Sequence, residues 1–403
     1  MNAYKALTAV ITAAILISCI PHERTNPLDP NAATNFVVIW TKTFGTTTDD
    51  VAVTALNLSF DNVFIIGYTA ETGTTNVCTL TVSEDGALVS RAIYTNGSNI
   101  IPCAAVKTAG NNIYIAGRCT SSGDNDMLLM KVASNGTLLW QSNFGSSSVN
   151  EYANAVVEQS NNDCVLVGGL SNTGGWALAV STNGAILWQS YYPLEPLQCM
   201  AADGYGGAVC GSGSNIAVFR ITNGGGVAWK ENTFTGTATA GTVVSITGDE
   251  RIPYTFYFTG RISGASSSTN LFGYISRSGY SASLKQLVFP GTAVCIGYSN
   301  MNDIGVLACG SVTPGAQYDI RYSSLFPDRV IEITTNMNGD GAAWVGDLDY
   351  SYTNFDRFKA IRISNRNCSA VRLLPAQNYD MLVIGNATNV SGADIFITRM
   401  KLK

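Results

Sequence analysis

Beyond residue 35 the chain alternates short apolar runs with polar turns, and the same order of runs recurs. A unit opens with a strand such as Ala153–Gln159 and turns at Asn161-Asn162-Asp163. It returns through a glycine-bearing strand such as Val165–Gly169. A third strand follows, as in Met127–Ala133, Trp176–Ser181 or Ile216–Thr222. It ends in Ser134-Asn135-Gly136, Thr182-Asn183-Gly184 or Thr222-Asn223-Gly224. The fourth strand carries Trp140, Trp188 or Trp229 in three of the units. Asn-Gly suits a two-residue hairpin because both turn positions need positive φ. The pattern predicts four antiparallel strands per unit.

The glycine of the second strand serves as a marker. It falls at Gly67, Gly117, Gly168, Gly211, Gly260, Gly310, Gly346 and Gly385, at intervals of 36 to 51 residues. Such a period fits the blade of a β-propeller. The expected fold class is therefore all-β, a single β-propeller of eight blades, or seven if two markers share one blade. The short intervals after Gly310, where no Trp strand is visible, are where such sharing would occur. Phe36–Phe44 is a lone strand of the fourth type, and Asp394–Lys401 is of the third. The first strand is thus expected to pair with the last blade, leaving no open sheet edge at the junction. The marker glycine is expected to let crowded strands approach, and the tryptophans to fill the space between blades.

Composition narrows the chemistry. Only 13% of residues are charged, the net charge is −5 and no Lys/Arg cluster appears. That balance speaks against a nucleic-acid partner. The one histidine, His22, precedes the repeats, so the propeller segment offers no Ser-His-Asp or Cys-His catalysis and few zinc ligand sets.

The N-terminus carries a different signal. One lysine, Lys5, precedes an apolar run from Ala6 to Ile17, too short to span a bilayer as a helix. Leu16-Ile17-Ser18-Cys19 resembles the lipobox of bacterial lipoproteins. The resemblance implies cleavage before Cys19 and acylation of its thiol, with residues 1–19 as signal, 20–35 as tether and 36–403 as propeller. Residue 20 is Ile20 rather than the aspartate of inner-membrane lipoproteins, so the resemblance implies the outer membrane or cell surface. The tether, rich in Pro and Asn, has too few large apolar groups to offset the entropy of ordering.

The repeat rhythm, clearest in NGTLLWQSNFG and NGAILWQSYYP, resembles secreted "ILVGG" propeller repeats and the pyrroloquinoline-quinone type of propeller repeat. The rhythm implies fold rather than activity. Members of the quinone family hold their cofactor with adjacent cysteines, and this chain has no Cys-Cys pair. No cofactor is expected. Asn336-Met337-Asn338-Gly339-Asp340-Gly341 loosely matches an oxygen-ligand loop, so Asn336, Asn338 and Asp340 are weak Ca2+ candidates, as is Gly123-Asp124-Asn125-Asp126. Ordinary hairpin turns account for both segments.

In an oxidising compartment, three cysteine pairs flank predicted hairpin turns: Cys103 with Cys119, Cys199 with Cys210, and Cys295 with Cys309. These are the expected disulfides, with buried thiols as the alternative. Cys78, Cys164 and Cys368 are left over. Asp347, Asp349, Asp356 and Glu332 are neighbours in sequence and stand for a carboxylate-dependent glycan hydrolase or lyase. Tyr350, Tyr352, Tyr191 and Tyr192 stand for sugar stacking or partner anchoring. The reading that follows is a membrane-anchored envelope propeller that binds or scaffolds an envelope protein or glycan. A hydrolase and a purely structural surface component are the alternatives.

Overall fold

The computed structural model describes residues 36–402, apart from 60, 72, 122, 160–163, 173, 214–215, 232–240, 249–253, 264–267, 280–282, 288–291, 299–305, 313–317, 323–328, 334–341, 349–354, 362, 364–365 and 377–379. The predicted signal, Cys19 and the tether lie outside the described residues, as do Asn336, Asn338 and Asp340. Among the described residues there is no helix.

Strand β1 (Phe36–Phe44) is followed by sheets of consecutive strands. The first contains β2 (Asp50–Ser59), β3 (Asn62–Thr69), β4 (Asn76–Ser83) and β5 (Leu88–Tyr94). The second contains β6 (Asn99–Lys107), β7 (Asn112–Ser121), β8 (Asp124–Ala133) and β9 (Leu138–Phe144). Next come β10 (Tyr152–Gln159), β11 (Cys164–Ser171), β12 (Gly174–Val180) and β13 (Ile186–Pro193). The fourth holds β14 (Leu197–Ala202), β15 (Ala208–Ser212), β16 (Val218–Ile221) and β17 (Val227–Glu231). The fifth holds β18 (Gly241–Gly248), β19 (Thr255–Ser263), β20 (Ser268–Ser276) and β21 (Ser283–Leu287).

The sixth sheet departs from this order. It runs β22 (Thr292–Tyr298), β23 (Val306–Val312), β26 (Ala342–Leu348) and β27 (Phe355–Ile361). Between β23 and β26 a separate hairpin, β24 (Tyr318–Tyr322) and β25 (Arg329–Ile333), is inserted. The last sheet contains β28 (Asn367–Pro375), β29 (Asp380–Asn389) and β30 (Gly392–Leu402), with β1 on its outside against β30. The chain is thus an all-β propeller, closed by its N-terminal strand.

Eight marker glycines do not mean eight blades. Gly310 lies on β23 and Gly346 on β26, and these strands pair directly, Ala308 opposite Gly346. Two markers therefore share one sheet, because the inserted hairpin separates strands that are neighbours in space. Seven four-stranded sheets form among the described residues. Their first strands touch in cyclic order, β2, β6, β10, β14, β18, β22, β28 and back to β2.

The marker glycine has a local cause. Every first strand bulges at an equivalent place, at Val53, Cys103, Asn154, Gln198, Val244, Val294 and Val371. The residue before the bulge faces the glycine: Ala52 opposite Gly67, Pro102 opposite Gly117, Ala153 opposite Gly169, Ala370 opposite Gly385. The bulge swings a carbonyl into the space a side chain would need. A Cβ would lie 2.1 Å from the Val51 oxygen at Gly67 and 1.6 Å from the Tyr152 oxygen at Gly169. Two of the markers, Gly168 and Gly211, stand one residue before that position, and there the expected crowding between blades occurs. A Cβ on Gly168 would meet Met200, and one on Gly211 would meet Val243, both on the following sheet.

The core is a series of layers between neighbouring sheets. Phe64 and Ile66 of β3 pack with Ile113, Ile115 and Met130 of the second sheet, and Tyr114 and Leu129 pack with Val165 and Leu178 of the third. Aromatic side chains tie the outer edges. Trp140 Nε1 donates to the Thr182 carbonyl at 3.0 Å and Trp188 Nε1 to that of Asn223 at 2.6 Å; Trp229 Nε1 donates to that of Arg277. Tyr94 does the same to Gly136 at 2.7 Å. Each bond runs from an outer strand to the next sheet's hairpin turn. The tryptophans are therefore between blades, as the sequence implied, with the indole N–H satisfied by the turn it covers.

The closing seam has its own bond pair. Asn386 of β29 accepts from the Ala52 N–H at 2.7 Å and donates to the Ala52 carbonyl at 2.9 Å. Truncating it strands two backbone groups on the first sheet. Asn386→Ala is expected to cost about 2–4 kcal/mol in urea unfolding. A loss under about 0.5 kcal/mol would remove the seam from the account.

Candidate functional site

The first strands surround an axial cavity of about 410 Å3. Its wall is formed where they bulge: Val53, Cys103, Asn154, Gln198, Val244 and Val371 all line it. The bulge matters because it turns successive residues toward the axis instead of into the layers between sheets. Repetition of the bulge around the ring therefore builds the cavity. Half of the lining is Val, Ala and Leu, and the amides Asn154 and Gln198 and the hydroxyls of Thr54, Ser245 and Thr247 stand among them. Asn154 Nδ2 donates to the Leu197 carbonyl at 3.0 Å, which fixes it across two sheets.

Arg372, next to the bulge residue Val371, is the one charged residue of this lining among the described residues. Its Nε is buried and has no acceptor among the described residues. A buried guanidinium donor without an acceptor is costly, and a ligand oxygen would satisfy it. No carboxylate or histidine lines the cavity among the described residues. Two thiols do. Burial pushes the Cys103 thiol up, and it pushes that of Cys199 up to about 12. Both are protonated at neutral pH and are poor nucleophiles. Alkylation of Cys199 in the native chain at pH 8 should run about 1,000-fold slower than in the unfolded chain, as its thiolate fraction dictates. Comparable rates, read by mass spectrometry, would contradict this burial.

The sequence-predicted cysteines meet different fates. Cys103 is the bulge residue of β6, and Cys119 faces Ile100, three positions away. Cys199 faces Gly211 while Cys210 faces Met200, one position out of step. That single step sends the two side chains to opposite faces of the sheet. Cys210 packs against the preceding sheet and Cys199 against the following one. All four are free thiols, and both expected disulfides are corrected. The turns set this register: Ala202 closes against Ala208 and Lys107 against Ile113, so neither ladder runs in the step that would pair the cysteines, and the bulge at Cys103 adds a further shift. Cys295 and Cys309 do stand directly opposite one another on β22 and β23.

Other candidates are scattered. Glu332 is on the separate hairpin, opposite Asp319, whereas Asp347 is on β26 between Leu307 and Arg357. Asp349, Tyr350 and Tyr352 lie outside the described residues. Asp124 Oδ2 accepts from the Ser148 N–H at 2.7 Å, and Asn150 Oδ1 accepts from the Asn125 N–H at 3.0 Å. The turn at 123–126 is thus held by loop bonds. Burial and the neighbouring Asp124 raise the pKa of Asp126. Among the described residues, no group of three His, Cys, Asp or Glu side chains is placed to hold a metal ion. Tyr192 is buried and donates to the Gly225 carbonyl at 2.8 Å, while Tyr191 is half-exposed and stacks on Trp176.

One cluster escaped the sequence reading. Tyr205, Tyr254 and Arg277 come from three separate turns on one side of the ring. The two phenol oxygens are 2.7 Å apart, and the Arg277 guanidinium lies 3.7 Å from one ring centre and 4.3 Å from the other. Tyr254 has φ +72°, a strained value for a residue with a side chain. No local motif signals the cluster, because its members are far apart along the chain.

No family model and no curated sequence matches the chain. Solved structures do. Virginiamycin B lyase from Staphylococcus aureus superposes with a TM-score of 0.58 at 11% identity, covering 92% of this chain and 100% of that one. Sqt1 from Chaetomium thermophilum, bound to the N-terminus of a ribosomal protein, gives 0.50 at 10% identity, covering 90% and 98%. At about one identical residue in ten, these likenesses establish for this chain the β-propeller fold and nothing beyond it.

Proposed function

We propose that the chain is an exported propeller of seven blades, held at a membrane by acyl groups on Cys19, that binds an envelope protein or glycan through its axial cavity. One observation carries the binding reading. The cavity wall offers orienting groups, Asn154, Gln198 and Arg372, between aliphatic and hydroxyl side chains, with no acid–base pair among its described residues. That composition suits recognition, where a few polar groups fix the ligand's orientation. General acid–base catalysis needs a titratable pair within reach of the reacting bond. The two neighbours also divide. The lyase is known with a histidine-to-alanine variant that is catalytically inactive, and residues 36–403 of this chain contain no histidine. The Sqt1 structure has a peptide terminus bound to a propeller. The single-file contact of the first strands supports seven blades.

The test is capture from envelope extract by the mature chain, immobilised beside its Arg372→Leu/Gln198→Leu variant. The expected result is one ligand retained by the parent and lost by the folded variant. Equal retention by both would remove the cavity as the binding site.

The same reading carries the remaining cysteine pair. The direct register of Cys295 and Cys309 brings their Cα atoms within the span of a disulfide. Non-reducing peptide mapping of the exported protein should yield a Cys295–Cys309 linked peptide and none joining Cys103 to Cys119 or Cys199 to Cys210. Recovery of Cys295 and Cys309 as free thiols would contradict it.

A further inference from the structure

We infer that the rim on the tether side of the propeller docks on a lipid surface through a belt of exposed aliphatic side chains. The belt is regular. Just after the hairpin turn that precedes it, an outer strand places two large aliphatic residues in solvent: Leu88 and Val89 on β5, Leu138 and Leu139 on β9, Ile186 and Leu187 on β13. Val38 and Ile39 of β1 continue the arc on one side, and Val227 of β17 on the other. Four adjacent blades therefore present such a pair, and a fifth presents Val227 alone.

The exposure has a backbone cause. The second residue of each pair, Ile39, Val89, Leu139 or Leu187, is itself a bulge residue. Their exposures run from 48% to 60%. A bulge blunts an edge strand against pairing with other chains. It does so whatever side chain it carries, and a charged one serves best. Edge protection therefore explains the bulge but not its aliphatic content. Exposed apolar surface that recurs blade after blade along one rim marks an interaction site.

The chain outside the structure says which surface covers it. β1 begins at Phe36, opposite Leu402 at the far end of β30. That is the end at which the other blades make their third-to-fourth-strand turns. Residues 1–35 thus enter beside Val38 and Ile39, within the belt itself. A fully extended tether of residues 20–35 spans at most about 55 Å, so acyl chains on Cys19 hold this rim close to the bilayer. The inference rests on that anchoring. Most of the surrounding turns fit the setting. Asn135-Gly136, Asn183-Gly184 and Asn223-Gly224 are uncharged, while the turn before Leu88 carries Glu84, paired with Arg399, and Asp85; the half-exposed rings of Tyr205 and Tyr254 lie on the same side. Tyrosine favours the headgroup level of a membrane because its ring is apolar and its hydroxyl is not. On the opposite side, Leu194 and Val390 are isolated exposed residues.

The experiment places the mature acylated chain on vesicles of phosphatidylethanolamine and phosphatidylglycerol that contain a diazirine-bearing phospholipid. After irradiation, mass spectrometry maps the lipid adducts. Adducts at Leu88–Val89, Leu138–Leu139 and Ile186–Leu187 should exceed those at Leu194 and Val390 by about tenfold. Leu139→Glu/Leu187→Glu should reduce the adducts on β5 as well as on its own strands. Uniform background labelling of a chain that still floats with the vesicles would overturn the docking and leave the anchoring intact. A mature chain recovered from its host with no acyl mass on Cys19 would instead overturn the anchoring. The same labelling at saturating vesicle concentration then decides the belt alone: adducts there sustain it, and none overturns it. A belt buried between two copies of the chain in solution, seen by sedimentation, would also overturn it.

Discussion

Gly169→Ala should destabilise the protein by about 3–5 kcal/mol, among the largest losses expected from one added methyl group. The new Cβ would lie 1.6 Å from the Tyr152 carbonyl oxygen, and that oxygen belongs to a bulged backbone with no flexible end to move aside. Relief requires flattening the bulge, which shifts the register of β10 and moves Asn154 off the axis. Gly204→Ala is the control. It sits in a hairpin turn at φ +76° with nothing within 4 Å of the added methyl, so it carries only backbone strain of about 1 kcal/mol. Urea midpoints of the two variants separate the causes. Equal losses would mean that positive φ alone explains these glycines and that the bulge does not.

Cys19→Ala is expected to abolish membrane attachment outright. Stable anchoring takes two acyl chains, at roughly 0.8 kcal/mol per buried methylene, and the tether has too few large apolar groups to replace them. In a host with lipoprotein processing, the parent should fractionate with membranes and carry the added acyl mass on an N-terminal Cys19. The variant should keep its signal or appear in the soluble fraction without that mass. A variant that stays with the membranes, in an unacylated and signal-free form, would show that attachment runs through another part of the chain.

Much of the fold was legible because each unit is locally consistent. Alternating apolar runs, Asn-Gly turns and the Trp-bearing strand specify four-stranded hairpin sheets, and the mismatched first and last strands specify the closure by β1. What failed was counting along the chain. Gly310 and Gly346 look like two blades because nothing local says that β24 and β25 are an insertion. The cysteine pairs failed for a related reason. The register depends on the length of each turn, which spacing alone does not give: Ala202 pairs with Ala208 and Lys107 with Ile113, so both ladders start out of the step that would pair the cysteines. Tyr298 pairs with Val306, and that register carries Cys295 onto Cys309 as expected.

The cavity was not legible at all. Asn154, Gln198 and Arg372 fall on three different first strands, and only closure of the ring brings them to one axis. Their common signal is that each sits at or beside a bulge, a property of pairing rather than of sequence. The same holds for the aliphatic belt. Its residues read as ordinary strand formers, and their exposure follows from outer-strand bulges that no periodicity reveals. The carboxylates near Asp347 show the converse. They are close in sequence, yet Glu332 and Asp347 belong to different sheets.

The central claim is recognition without turnover, and product analysis tests it most directly. The ligand captured from the envelope would be incubated with the mature chain in catalytic amount, and its mass followed beside a sample without protein. The account predicts an unchanged ligand, recovered whole, with its binding lost in the Arg372→Leu/Gln198→Leu variant. A ligand shortened or eliminated by the parent chain, at a rate that the same variant abolishes, would contradict it and make the axial cavity an active site.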